Sequence, residues 1–180
     1  TSSGLVGLRN VASMSEGDVA ERFEVARFVP YTAAEIFAVL CDPKGHVEID
    51  SSGMLQSSTG EAVSAVGDTF VVHMDRESLN DYPLGKYDVT IEIITFKPDR
   101  EIAWLVRGRL DLGHSYGYRL EPAVVTTEAG EVAGTTVTSY YDWSAVAPEW
   151  KTGVFPVLPE AALRATLGIL ERTVRRRLER

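Results

Sequence analysis

The segment 159–180 constrains the fold of this chain most strongly, because its pattern predicts one long amphipathic helix. Its apolar residues recur every three or four positions and so line one helical face: Leu163, Leu167, Leu170, Val174 and Leu178. The opposite face is charged, and arginines fill the last turns, where cations stabilise exposed carbonyl groups. A helix with one apolar stripe has to pack against a second layer, and the rest of the chain has to supply that layer.

The preceding residues predict an antiparallel sheet, curved around the helix, as that second layer. Turn-forming groups divide them into strand-like segments at regular intervals. We predict strands at residues 20–28, 53–58, 68–76, 87–96, 101–109, 113–121 and 135–146. The links between several of these segments are short, which favours antiparallel neighbours.

Two short helices are predicted between the first two strands. Thr32 can accept a hydrogen bond from the first helical turn while Glu35 reaches back to the Thr32 amide, an arrangement known as a capping box. Asp42 and Pro43 end this first helix, and residues 45–50 predict the second. The sequence therefore predicts an α+β fold with about seven strands and a long C-terminal helix.

The length of 180 residues suits one domain, which we assign to residues 19–180. Residues 1–18 are rich in small residues without sustained periodicity, and they predict a flexible leader. The net charge of −8 argues against sequence-independent binding of nucleic acid, which depends on Lys and Arg. The arginines at the end of the last helix could bind a phosphate or a lipid headgroup, but a solvated helix end is the simpler interpretation.

Two further features of the composition bear on where the protein resides. No apolar run approaches the ~20 residues that span a bilayer, so we expect no membrane span. The single cysteine, Cys41, lies in an apolar helical pattern and cannot form an internal disulfide. We therefore predict that Cys41 is a small core residue and that the protein is cytoplasmic.

Aromatic residues are concentrated on the predicted inner face of the sheet. With a strand period of two, His114, Tyr116 and Tyr118 share one face. Tyr141 and Trp143 share a face of the last strand, and Trp104 belongs to a further apolar set. Large rings with polar tips are typical of a pocket for an amphipathic ligand. Alternatively, these rings fill the space between sheet and helix and bond to one another.

His114 is the best candidate for proton transfer, because its unperturbed pKa lies near neutrality. A structural, hydrogen-bonded histidine remains the alternative. The alternation places His73 and Asp142 on the outer face. His46 is followed by acidic residues at intervals of two, a spacing that does not bring metal ligands together on a helix. We find no phosphate-binding loop, dinucleotide fingerprint or nucleophile elbow, and we predict neither a metal site nor a cofactor.

Several stretches resemble the START-like or SRPBCC superfamily, the Bet v 1-like helix-grip proteins, which include polyketide cyclase/dehydrase and lipid-transport proteins. YTAAEIFAVLCDP (residues 31–43) is similar to the first helix of that superfamily and its proline end. PDREIAW (98–104), LEP (120–122), GTTV (134–137) and DWS (142–144) are similar to its hairpins. The order of one strand, two short helices, six strands and a long helix also resembles the superfamily.

The resemblance implies a deep apolar cavity between the sheet and the last helix. On this chain the cavity would be lined by Trp104, His114, Tyr116, Tyr118, Tyr141, Trp143, Leu163, Leu167 and Leu170. The expected function is binding of a hydrophobic small molecule that is aromatic, polyketide-like or lipid. One alternative is a polyketide cyclase or dehydratase in which His114 and Tyr116 move protons. Another is a protein-interaction module that activates a chaperone ATPase, and a homodimer is a further candidate assembly.

Overall fold

The computed structural model describes residues 20–80 and 83–180, and within them the chain forms a seven-stranded antiparallel sheet with a long C-terminal helix. The elements are β1 (Arg22–Val29), α1 (Ala33–Cys41), α2 (Pro43–Ile49), β2 (Leu55–Thr59), β3 (Thr69–Asp75), a 3-10 helix (Glu77–Leu79), β4 (Lys86–Lys97), β5 (Glu101–Arg107), β6 (Ser115–Thr127), β7 (Gly130–Asp142), α3 (Pro148–Lys151) and α4 (Glu160–Leu178). This is the predicted α+β helix-grip architecture, and the prediction is confirmed. The predicted leader 1–18 lies outside the described residues.

The strand order in the sheet is β1-β7-β6-β5-β4-β3-β2. Strands that follow one another in sequence are therefore neighbours, except that β1 pairs with β7 at the other end of the chain. Among the strands of the sheet, β1 and β7 lie closest to α4, which also packs on α1 and α2. None of the helices in the described part of the chain is long and apolar enough to cross a membrane.

The two short helices form where the sequence places their caps. The Glu35 N–H donates to Thr32 Oγ1 at 3.2 Å, and the Thr32 N–H donates to the Glu35 carboxylate at 2.9 Å, so the predicted capping box is present. The Asp42 carboxylate then accepts from the Lys44 N–H at 3.0 Å and caps α2. Because Asp42 is a cap and Pro43 suits a first helical position, α2 begins two residues earlier than predicted.

The apolar stripe of α4 packs on the core along most of its length. Leu163, Leu167, Leu170 and Val174 are buried, whereas Leu178 is 53% exposed. At this end of α4 the Arg177 guanidinium donates to the Asp42 and Glu48 carboxylates, at 2.8 and 2.9 Å. Cys41 is buried in the core as expected, and burial raises the pKa of its thiol to about 11.

The β6–β7 hairpin is longer than the sequence predicts. Residues 122–134, which lie between two of our predicted strands, extend both strands to a tight connection at 128–129. Pro122 lies beyond Arg119, the end of the register with β5, so its missing N–H removes no bond from that ladder. A Cβ at Gly134 would lie 2.4 Å from the Val29 carbonyl oxygen, so this glycine serves a close approach to the chain leaving β1.

Candidate functional site

The inner face of the sheet carries a contiguous set of rings, here called the aromatic cluster: Phe23, Trp104, His114, Tyr116, Tyr118, Tyr141 and Trp143. It contains all six non-leucine residues that we predicted to line the cavity. Tyr116 of β6 pairs in register with Tyr141 of β7, and their rings stack with centroids 4.4 Å apart and planes 6° apart. Trp104 of β5 stacks on Tyr116 from the other side, at 6.4 Å. The register of three neighbouring strands therefore builds this surface.

The three predicted helix residues lie in the same core as the aromatic cluster. Leu163, Leu167 and Leu170 are buried on the α4 face that packs on the sheet. Gly168 lies between Leu167 and Leu170 within the continuous helix α4. A Cβ at Gly168 would meet only the Arg27 guanidinium, at 3.8 Å, so close approach of a strand does not explain this glycine.

The tyrosine hydroxyls of the aromatic cluster are partly satisfied within the protein. The Val157 N–H donates to the Tyr141 hydroxyl oxygen at 3.1 Å. Burial raises the pKa of Tyr116 well above its usual value, and it raises the pKa of Tyr118 to about 12. These phenols are therefore neutral at pH 7.

His114 stands at the edge of the aromatic cluster, directly before β6. Its ring centroid lies 5.8 Å from that of Tyr116, 6.4 Å from that of Tyr141 and 5.1 Å from that of Phe155. Its Nδ1 atom is buried, and no group in residues 20–80 and 83–180 hydrogen-bonds to it. Burial lowers the pKa of His114 to about 4, so the imidazole is neutral at physiological pH.

The segment 147–158 covers His114. Phe155 is buried against the His114 ring, whereas Trp150, in the same segment, is 36% exposed. Half-buried apolar residues surround this part of the core: Leu112, Val154, Val157 and Leu158. The sequence left open whether this segment covers a site or fills the core. Phe155 is placed to do either, and Trp150 takes no part in the core.

Two inward-facing residues near the aromatic cluster escaped the sequence analysis. Arg76 follows Met74 on the inner side of β3; it is 8% exposed, and its Nη1 lies 2.7 Å from the Met54 sulfur. Tyr87 pairs with Met74 from β4. The positive charge of Arg76 acts against the burial that raises the pKa of Tyr116. The period of two along β3 and β4 would have identified both residues as inward-facing.

The other histidines have different surroundings. The His46 Nε2–H donates to the Leu40 carbonyl at 2.8 Å, and its ring lies edge-on to Phe70 and Trp104. His73 lies on the outer face, as predicted, where its ring nitrogens bond Asp88 and Thr59. No group of three or more potential metal-ligating side chains occurs among the described residues.

Two cavities open on other parts of the molecule. One of about 530 Å³ lies at the β2–β4 end and is lined by Gln56, His73, Met74, Asp75, Lys86, Tyr87 and Asp88. The other, of about 280 Å³, lies between α2 and β2. The predicted cavity beneath α4 remains a prediction, because the rings of the aromatic cluster pack against one another and against Phe155.

Solved structures share this architecture. An AHSA1-like protein from Aeromonas hydrophila matches with a TM-score of 0.53 and 16% identity, covering 86% of this chain and 92% of that protein. A truncated norcoclaurine synthase from Thalictrum flavum matches with a TM-score of 0.53 and 16% identity, covering 88% of this chain and 97% of the synthase. Together with the strand order and the long C-terminal helix, these matches establish that the chain has the SRPBCC, Bet v 1-like fold.

The sequence itself has a distant relative. The uncharacterized protein Rv0088 of Mycobacterium tuberculosis is 29% identical over 136 residues, which cover 75% of this chain and 51% of Rv0088. The chain thus spans about half the length of the curated relative that it matches. No family model matches the chain.

Proposed function

We propose that this protein binds a hydrophobic, aromatic small molecule between the sheet and α4, at the aromatic cluster. The observation that carries the proposal is the buried, unpaired Nδ1 atom of His114 among aromatic rings. A buried polar atom without a partner costs about 1–3 kcal/mol, and such atoms are uncommon in folded proteins. A ligand with one polar group would remove that cost while its apolar part contacts the rings.

The segment that covers His114 supports this location. Phe155 is held against the histidine by side-chain packing, while the backbone of Val157 is held by one hydrogen bond to Tyr141. A ligand could reach the aromatic cluster by displacing Phe155, because the residues around it are only half-buried. The apolar surface of Phe155 would be replaced by the apolar surface of the ligand, so the exchange costs little hydrophobic free energy.

Catalysis as a polyketide cyclase or dehydratase is the second candidate. It is favoured by the neutral imidazole of His114, which lies beside the hydroxyl-bearing ring of Tyr116. A synthase also shares this fold. However, a general base works best with a pKa near the working pH, and burial lowers the pKa of His114 to about 4. The pKa of Tyr116 is raised, so it is a weak acid. The lowered pKa of His114 and the raised pKa of Tyr116 both favour ligand binding over catalytic proton transfer.

The test begins with native mass spectrometry of the protein purified from its own host, before and after denaturation. We expect a stoichiometric small molecule that is released on unfolding, and its identity would direct an assay for turnover. Thermal unfolding with a panel of naphthalene-class and polyketide-like compounds provides a second measurement, since a ligand that binds only the folded state raises the melting temperature.

Two variants of the covering segment locate the site. Phe155→Ala should change the affinity of any such ligand, whereas Trp150→Ala, a matched aromatic truncation in the same segment, should leave it unchanged. An empty protein whose melting temperature no compound moves would refute the binding proposal. That outcome would favour the third candidate, a chaperone-activating interaction module, for which the AHSA1-like neighbour is the support.

A further inference from the structure

We propose that the ligand is recognised through a hydroxyl group on an aromatic ring, held between His114 Nδ1 and the hydroxyl of Tyr141. The ligand class is therefore a neutral phenol. This inference rests on the proposed function and specifies the ligand of the same site. It follows from counting the hydrogen-bonding capacity that the two side chains leave unused.

His114 offers an acceptor. The neutral imidazole carries one proton, on either Nδ1 or Nε2. Buried N–H groups without an acceptor are rarer than buried acceptors without a donor. Because Nδ1 is the buried, unpaired atom, we assign the proton to Nε2 and a free lone pair to Nδ1. The ligand therefore has to present a donor at this point.

Tyr141 offers a donor. Its hydroxyl oxygen has two lone pairs and one proton. The oxygen accepts from the Val157 N–H at 3.1 Å, which uses one of the lone pairs. In the part of the chain that the structure describes, the Tyr141 proton forms no hydrogen bond. The proton is therefore available to an acceptor on the ligand.

A hydroxyl is the smallest group that meets both requirements at once. The His114 and Tyr141 ring centroids lie 6.4 Å apart, so both side chains border the same part of the aromatic cluster. A carbonyl could accept from Tyr141, but it would leave Nδ1 unpaired. A charged carboxylate or ammonium does not suit this site, where burial disfavours the charged forms of His114 and Tyr116 alike. The stacked rings around the site select an aromatic carrier for the hydroxyl.

The test compares 2-naphthol with 2-methylnaphthalene, in which a methyl group of similar size replaces the hydroxyl. Dissociation constants are measured by calorimetric titration at pH 7 for the full chain and three variants. The informative quantity is the ratio of the two constants, because it cancels the contribution of the naphthalene rings. In His114→Phe we expect the preference for 2-naphthol to fall about tenfold, the effect of one buried hydrogen bond with its desolvation cost.

Two further variants separate recognition from a general change in the site. His114→Asn keeps an acceptor oxygen close to the Nδ1 position and should retain most of the preference. His73→Phe removes a histidine from the outer face and should leave the ratio at its original value.

The outcomes distinguish the two proposals. If both compounds bind and the ratio is the same in the original protein and in His114→Phe, the site binds hydrophobic molecules and the phenol inference is wrong. If neither compound binds to the original protein, the proposed function itself fails. A loss of preference that is equal in His114→Asn and His114→Phe would also overturn the role of Nδ1.

Discussion

Buried His46 and half-buried His114 lie in similar aromatic surroundings and differ in their hydrogen bonding. Burial lowers the pKa of each to about 4, and each ring contacts at least two other aromatic rings. His46 donates its proton to the Leu40 carbonyl, whereas the Nδ1 atom of His114 is buried without a partner. The pKa shifts and the ring contacts are therefore alike for the two residues, and the hydrogen bonds are what distinguish them.

The contrast extends to the elements that hold each ring. His46 belongs to α2, which is capped by Asp42 and tied to α4 through Arg177. His114 lies in an irregular segment and is covered by Phe155 from another irregular segment. His46 is therefore held between capped, tethered helices, whereas the Phe155 side chain that covers His114 comes from an irregular segment.

Lowering the pH should have the largest effect on the free energy of unfolding. It tests the lowered pKa that the two histidines share. Both have a pKa near 4 in the folded protein and near 6.5 when unfolded, so between these values only the unfolded chain takes up protons. The free energy of unfolding should therefore decrease as the pH falls from 7 to 5, by on the order of 4 kcal/mol for the pair. Urea unfolding across this range measures the decrease. A stability that does not change between pH 7 and pH 5 would contradict neutral, buried imidazoles.

Truncation of His46 should have the next largest effect on the free energy of unfolding. His46→Ala removes a ring packed between Phe70 and Trp104 and leaves the Leu40 carbonyl without its donor. We expect a loss of about 3 kcal/mol in the free energy of unfolding at pH 7, measured by urea titration. A loss below about 1 kcal/mol would mean that His46 is not the structural member of the pair.

Replacement of His114 should change stability with the opposite sign. His114→Phe keeps a ring against Tyr116 and Phe155 but removes the unpaired nitrogen, so we expect stability without ligand to rise by about 1 kcal/mol. The same variant should lose about half of the pH dependence described above. Thermal and urea unfolding at pH 7 and pH 5 measure both. Destabilisation at pH 7 would show that Nδ1 contributes to the fold.

The exposed histidine provides the smallest expected effect and a baseline for the other two. His73 is bonded to Asp88 and Thr59 on the outer face, where water can replace both partners. His73→Ala should change the free energy of unfolding by less than about 0.5 kcal/mol. A larger loss would indicate that polar bonds across the strands contribute to the sheet as much as the inner-face packing does.

Local chemistry and periodicity made most of the fold predictable. The apolar stripe of α4, the capping box at Thr32 and the alternation that turns Tyr116 and Tyr141 inward are each encoded within a few residues. The length of the β6–β7 hairpin was not predictable in this way. Pro122 usually interrupts a strand, and here it lies where no ladder needs its N–H.

The sequence predicted which residues form the candidate site, but it did not predict which of their polar atoms are hydrogen-bonded. The period of two identifies the residues of the aromatic cluster, because β5, β6 and β7 are neighbours in register. Whether a polar atom finds a partner depends on segments distant in sequence. His46 finds the Leu40 carbonyl through a turn between helices, and His114 meets only rings. No local pattern reports that difference.

The pairing of β1 with β7 has a consequence for how the chain acquires its structure during synthesis. Arg22 pairs with Asp142 and Val29 with Thr135, so the first strand leaves the ribosome long before β7, its neighbour in the described sheet. At ordinary translation rates the delay is on the order of ten seconds. Throughout it, the apolar face of α1, including Ile36 and Leu40, lacks α4, one of the elements that it packs against. The nascent chain is therefore most exposed to aggregation and most dependent on chaperones between the emergence of α1 and the emergence of α4.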